Sequence, residues 1–266
     1  MKRLHERKVA IVTGSSSGLG LETVKELARE GAKIVMVARG EEKLLKAAEE
    51  VKSEIEGVEL ITVTADVTKD SEVRRFVNAA IENFCTLDYL VNNAGIDGPN
   101  MPLADVDLDA FREVINTNLL AAVYGIHYAA PFMAANGRGA IVNTASTAGI
   151  NGMENISAYV AAKHALVGLA KSAAIELGPK GIRVNNIAPG GIMTDMLKGF
   201  FATLAEQQGT TAAQVEATMS ANVPMRRFSQ PIEQARVISF LLSENASYIN
   251  GATIVNDGGQ SIVLAA

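Results

Sequence analysis

Two polar side chains lie four residues apart in Tyr159-Val-Ala-Ala-Lys163. On a helix that spacing sets them on one face, one turn apart. A tyrosine phenol ordinarily ionises near pH 10, so it is a poor acid or base at neutrality, but a neighbouring cation favours the phenolate. Bringing its pKa near 7 would take roughly 4 kcal/mol of differential stabilisation. Lys163 is the only cation so placed. Upstream, Asn143-Thr-Ala-Ser146 closes an apolar run and puts a hydroxyl where a strand would reach the carboxyl edge of a sheet. Open α/β sheets hold their ligands at that edge. Ser146 would donate a hydrogen bond to a carbonyl oxygen while Tyr159 exchanges the proton. A Tyr–Lys pair alone is commonly surface decoration; its weight comes from Ser146 and from the turn that precedes both.

That turn is Thr13-Gly-Ser-Ser-Ser-Gly-Leu-Gly20, placed between the apolar run Val9–Val12 and a helical segment containing Val24, Leu27 and Ala28. Gly14, Gly18 and Gly20 let the backbone turn tightly and approach a pyrophosphate, whose charge then sits at a helix N-terminus. Gly14, Ser16, Ser17, Gly18, Leu19 and Gly20 are therefore candidates for cofactor binding. The spacing G-x-x-x-G-x-G departs from the G-x-G-x-x-G dinucleotide fingerprint, and a glycine-rich turn that binds nothing is the alternative. The next strand ends Val37-Ala38-Arg39-Gly40, with no acid until Glu41. An acid there would serve the ribose 2′-hydroxyl of NAD, whereas an arginine accommodates a 2′-phosphate. Arg39 thus favours NADP(H), with NAD(H) possible; the competing reading is an ordinary solvated arginine.

The elements that must position these groups follow from hydrophobic period. Short β-branched runs at Val9–Val12, Lys33–Val37, Glu59–Thr64, Tyr89–Val91, Ala140–Asn143, Arg183–Ile187 and Thr253–Val255 read as strands. Between them, helical period covers about 18–30, 41–55, 70–84, 107–135, 157–178, 195–207, 212–222 and 231–243. Alternation of this kind predicts an α/β fold, a Rossmann-type doubly wound parallel seven-stranded sheet with helices on both faces. With no linker-like stretch and no internal repeat, residues 1–266 are expected to form a single dinucleotide-binding and catalytic domain. Residues at about 195–228 interrupt the rhythm and read as a substrate lid. Within it Met196, Leu197, Phe200, Phe201 and Leu204 are amphipathic: an apolar wall over substrate, a core stripe, or part of a subunit interface.

Composition excludes several classes. A net charge of −5 with no basic tract argues against nucleic-acid binding. The single cysteine, Cys85, rules out an intramolecular disulfide and a cysteine-cluster metal site, and fits a reducing cytoplasm. His5, His127 and His164 have no metal-ligand spacing, so no metal is expected. No apolar run approaches the roughly 18 residues of a membrane span, and the run Val9–Val12 is too short for a signal-peptide core. No G-x-S-x-G nucleophile elbow supports a hydrolase. Glu49-Glu50 reads as a solvated helix face.

Taken together, the turn Thr13–Gly20, Asp66-Val67, Asn92-Asn-Ala-Gly95, Ser146, Tyr159-x-x-x-Lys163 and Pro189-Gly190 with Thr194 resemble the short-chain dehydrogenase/reductase family, over almost the whole chain. The resemblance implies hydride transfer between a nicotinamide cofactor and a ketone or secondary alcohol, with Ser146, Tyr159 and Lys163 catalytic. It further implies that Asp66 and Val67 hold the adenine and that Asn93, Ala94 and Gly95 line the cofactor cleft. Tyr159 and Lys163 would also contact the cofactor, as would Pro189 and Gly190, while Ile192 and Thr194 would bind the nicotinamide amide. Asn118 matches the family's helix asparagine that positions a water in a proton relay through Lys163; Asn116 is its neighbouring candidate. The generic pattern looks like the family's 3-oxoacyl thioester reductases, while Asn93-Ala-Gly-Ile-Asp-Gly98 and the long lid look like its reductases of small cyclic ketones. A homotetramer is implied, with segments 107–135 and 157–178 pairing between subunits and the tail Asp257-Gly-Gly-Gln260 followed by Ser261–Ala266 reaching a neighbouring chain. The competing class is a catalytically silent dinucleotide-binding regulator on the same fold.

Overall fold

The computed structural model describes residues 3–262; part of the tail expected to reach a neighbouring chain lies outside them. All seven expected strands form: β1 Val9–Thr13, β2 Lys33–Ala38, β3 Leu60–Thr64, β4 Tyr89–Asn92, β5 Gly139–Thr144, β6 Ile182–Pro189 and β7 Thr253–Asn256. They pair in parallel in the order β3-β2-β1-β4-β5-β6-β7. The chain therefore reverses its direction of winding between β1 and β4, which opens a crevice at their carboxyl ends.

Strand β1 shows why these sequences need no polar alternation. Val9 and Ile11 enter the core on one face of the sheet, Ala10 and Val12 that on the other. Helices cover both faces. On the first lie α3 (Asp70–Phe84), α5 (Ala121–Ala135) and α6 (Ser157–Leu177); on the second lie α1 (Gly18–Arg29), α2 (Glu41–Glu54) and α9 (Pro231–Leu242). In α3 the buried residues Val73, Phe76, Val77 and Ala80 follow i, i+3, i+4, i+7, and in α2 Leu44, Ala47, Ala48 and Val51 repeat the pattern.

Two expectations change in detail. The segment read as one helix over 107–135 is α4 (Leu108–Ile115) and α5 joined by a π-helical turn over Asn116–Leu120. The acidic pair on α2 is not wholly solvated. Glu50 and Glu54 take the buried Lys25 ammonium at 2.5 and 2.6 Å, while Glu49 pairs with Lys52. His5 is structural: its buried ring bonds the Ser239 hydroxyl at 2.8 Å. Burial lowers its pKa to about 4.

The excursion after β6 forms α7 (Asp195–Gln208) and α8 (Ala212–Ser220) around a small core of its own. Its two ends run side by side: Met193 N–H donates to the Ser229 carbonyl at 2.9 Å, and Ser229 N–H to that of Gly191 at 3.0 Å. Phe201 is buried against Phe228, their ring centroids 5.5 Å apart, and Leu197 and Leu204 pack with them. Met196 and Phe200 stay exposed. The amphipathic pattern thus divides: three of its residues build the segment's own core and two remain available outside it.

Candidate active site

The glycine turn emerges from β1 at the crevice. Gly14 adopts φ +67°, and a Cβ there would stand 2.9 Å from the Ala94 Cα; a Cβ on Gly20 would strike the Gly14 carbonyl. Only glycine permits this folding of the turn on itself. Buried Ser15 ties it to β2, its N–H and hydroxyl both meeting the Val37 carbonyl, at 3.1 and 3.2 Å. Ser17 is exposed and Ser16 half-buried; Leu19 is buried in the core, so only its backbone faces outward chemistry. No side chain caps the first turn of α1. Its N–H groups and dipole therefore fit a pyrophosphate.

Residues 93–95 close the other wall. The buried Thr13 hydroxyl accepts the N–H groups of Asn93 and Ala94 at 3.0 and 3.1 Å, and the Asn93 amide donates to the Thr13 carbonyl at 3.0 Å. Sequence reading passed over Thr13; its signal is a hydroxyl at a strand end opposite Asn92-Asn-Ala-Gly95. At the far end of the crevice Arg39 is exposed and has no ion-pair partner among the described residues. It lies near Asp66. Burial acts to raise the Asp66 pKa, but hydrogen bonds from Thr68 and the charges of Arg39 and Lys69 outweigh it and hold the carboxyl low. Val67 beside it is buried. Above the turn, the Thr194 methyl would be 3.2 Å from a Cβ on Gly18, which puts the start of the excursion after β6 directly over the turn. Ile192 is half-buried on the same stretch, whereas Pro189 ends β6 and Gly190 packs on Asp257.

Ser146, Tyr159 and Lys163 meet at the carboxyl edge of β5 and β6. Helix α6 carries the last two one turn apart, and Lys163 Nζ lies 5.3 Å from the centroid of the Tyr159 ring. The ammonium is buried and donates to the Thr144 carbonyl at 2.6 Å. Thr144 is a second residue that no residue type signals, since it contributes only its main chain. Burial lowers the Lys163 pKa to about 8, with the Asp97 carboxylate opposing. Burial also pushes the Tyr159 phenol up to about 12; the Ser146 hydroxyl pulls it back and Asp97 adds to the rise. Lys163 alone thus does not bring the phenol toward 7 in this arrangement. The ammonium is directed at a carbonyl, and desolvation of the phenolate dominates.

Asn118, on the π turn, is buried, while Asn116 is exposed. Its side chain holds the Ile96 backbone twice, accepting the N–H at 2.8 Å and donating to the carbonyl at 2.7 Å. A Cβ on Gly95 would lie 3.0 Å from this amide and 3.8 Å from Lys163 Nζ, so Asn118 and Lys163 border the same residue. His127 and His164 are exposed, and among the described residues no cluster of His, Cys, Asp and Glu could hold a metal. No described helix is long and apolar enough to cross a membrane.

With this geometry established, the relatives can be compared. The family described as Enoyl-(Acyl carrier protein) reductase matches residues 14–261. The chain belongs to the short-chain dehydrogenase/reductase family. Levodione reductase of Leifsonia aquatica is 39% identical over 254 residues, 96% of this chain and 94% of that protein. The L-sorbose reductase of Gluconobacter frateurii, solved with NADPH and L-sorbose, superposes with a TM-score of 0.94 at 34% identity, over 99% of this chain and 100% of that one. NAD+-bound xylitol dehydrogenase gives 0.90 at 34% identity, over 96% and 99%. The chain is accordingly an oxidoreductase of this family, and its solved relatives include both an NADPH and an NAD+ complex.

Proposed function

We propose that this chain reduces a small ketone to its secondary alcohol, reversibly, with NADP(H) favoured over NAD(H). The observation that carries the reading is the meeting of Ser146, Tyr159 and Lys163 beside a glycine turn shaped for a pyrophosphate. The dinucleotide, when bound, supplies or accepts the hydride. Gly14, Ser16, Ser17, Gly18, Leu19 and Gly20 would hold its pyrophosphate, Arg39 its 2′-phosphate, and Asp66 and Val67 its adenine. Asn93, Ala94, Gly95, Pro189, Gly190, Ile192 and Thr194 would line its nicotinamide half.

As the carbonyl carbon is reduced, Tyr159 Oη gives its proton to the oxygen, Ser146 donates a hydrogen bond to the same atom, and Lys163 stabilises the phenolate left behind. A phenol with pKa about 12 still protonates an alkoxide downhill, because alkoxide basicity is comparable with that of hydroxide, whose conjugate acid has pKa ~15.7. The reverse reaction must start from the phenolate, which burial disfavours. The raised phenol pKa therefore moves the onset of alcohol oxidation to higher pH without altering the equilibrium between ketone and alcohol. Asn118 would serve the relay by fixing the Gly95–Asp97 backbone beside Lys163.

Residues 1–266 then act as one domain, with about 195–228 as lid and Met196 and Phe200 as its substrate-facing apolar residues. The unpaired, exposed Cys85 supports a cytoplasmic setting. A homotetramer is supported by the apolar trough between α5 and α6.

The test is turnover of NADPH and NADH with aliphatic, cyclic and thioester-linked ketones. Tyr159→Phe should lower kcat by about 10²–10⁴-fold while leaving the cofactor Kd within twofold. Near-normal turnover in that variant would remove Tyr159 from proton transfer, and tight NADPH binding without turnover of any ketone would support the silent regulator instead.

A further inference from the structure

Asp97 is exposed beside the catalytic groups, and among the described residues it has no hydrogen-bond or ion-pair partner. Its position is nevertheless fixed from both sides. On one, the Asn118 amide holds the N–H and the carbonyl of Ile96, whose side chain packs with Tyr159, Val114 and Ala162. On the other, Gly98 has φ +76° and lies so close over Val114 that any side chain there would collide with it. The loop is thus a rigid mount, and it starts at Gly95, whose Cβ position is 3.8 Å from Lys163 Nζ. Both Tyr159 and Lys163 feel the Asp97 charge. Asp97 is not an ion pair for Lys163, whose ammonium donates to Thr144.

An exposed carboxylate with no protein partner keeps its acceptor oxygens open to a donor bound in the cleft. Resting on the ketone-reductase reading above, we propose that Asp97 is a specificity-determining residue that accepts a hydrogen bond from a second hydroxyl on the substrate. The cleft would then select hydroxylated ketones, and the alcohols they yield, over plain ones. The donor is a hydroxyl rather than an ammonium, because the Lys163 charge already occupies the reacting end of the site and a second cation would meet its repulsion. Carboxylate or phosphate substituents would meet Asp97 itself.

The experiment compares cyclohexanone with its 2-, 3- and 4-hydroxy derivatives, with NADPH, in the wild-type enzyme and in Asp97→Leu and Asp97→Asn. The wild type should prefer at least one hydroxylated ketone by about tenfold in kcat/KM. Leucine should bring that ratio near one, chiefly through KM of the hydroxylated ketone, and asparagine, whose carbonyl still accepts, should keep part of it. An unchanged ratio in Asp97→Leu, or no wild-type preference, overturns the role of Asp97 while the reductase reading stands. A wild type that binds NADPH and turns over none of the four overturns the reductase reading and this one with it. Thermal melting and NADPH affinity of both variants establish that they are folded.

Discussion

Arg39 stands exposed at the end of β2 with no ion-pair partner among the described residues, near Asp66 and one strand from the glycine turn. A guanidinium so placed can take a 2′-phosphate through two parallel hydrogen bonds. Arg39→Ala should therefore weaken NADPH by roughly 1.5–3 kcal/mol, about 10- to 100-fold in Kd, and change NADH by less than twofold. Fluorescence titration of both cofactors measures it, and equal losses would remove the phosphate assignment. At this scale the chemistry-bearing side chains were legible because type and spacing identify them: Tyr159 and Lys163 by one helical turn, Ser146 by its strand end. What was not legible is where their partners come from. Thr144 acts through a carbonyl that every residue possesses, and Thr13 through contacts across some eighty residues of sequence. The direction of the Tyr159 pKa was not legible for a related reason, since burial is a tertiary quantity that no local spacing contains.

Between strands, three asparagines carry a constraint visible only once register is known. Asn92, Asn143 and Asn186 are direct partners on β4, β5 and β6, and Thr253 follows on β7. Their buried amides form a chain: Asn92 donates to Asn143 at 2.9 Å, Asn143 to Asn186 at 3.0 Å, and Asn186 to the Thr253 hydroxyl at 3.1 Å. The strand ends beneath Ser146 and Lys163 are thereby tied at one level. Asn143→Leu strands one donor on Asn92 and one acceptor on Asn186, each worth about 1–3 kcal/mol when buried unpaired. A loss near 3 kcal/mol is expected, a Tm lower by roughly 6–12 °C, together with reduced kcat, because Thr144 is the next residue. Calorimetry and kinetics check both; a Tm within 2 °C of wild type would show the ladder to be inert. The strands themselves were readable from β-branched runs, and helix limits from period and from punctuation such as Pro231. The π turn was not, because Asn116-Thr-Asn-Leu-Leu continues the helical period of its flanks and nothing local marks the extra residue per turn.

At the scale of the molecule, the parallel order of seven strands followed from strand–helix alternation and right-handed crossovers, whereas what covers the outer faces did not. Helices α5 and α6 leave a trough of about 470 Å³ between them, lined by Val123, Ile126, Ala130, Leu169 and Ala173. Helix α5 has little polar relief, reading Ala-Ala-Val-Tyr-Gly-Ile-His-Tyr-Ala-Ala-Pro-Phe-Met-Ala-Ala without a charged residue, and the charged Glu176 and Lys180 complete the trough's lining. Small side chains let helices from two subunits approach closely, and apolar patches of this sort on an otherwise charged surface are interaction sites. If a two-fold axis lies over the trough, the same patch meets itself and each substitution counts twice in the interface. Val123→Arg then brings two like charges into an apolar seam, a penalty of several kcal/mol per contact. In the proposed tetramer this face supplies one class of interface, so the variant should sediment as dimers held by the other class, or as monomers, at micromolar concentration where the wild type remains tetrameric. Because the trough lies on the outer face of α5 and α6, NADPH binding by the dissociated species should persist, while kcat falls to the extent that Tyr159 and Lys163, on the same α6, depend on the pairing for their position. Sedimentation velocity alongside kinetics separates these effects, and an unchanged tetramer in Val123→Arg would place the subunit contacts elsewhere on the surface.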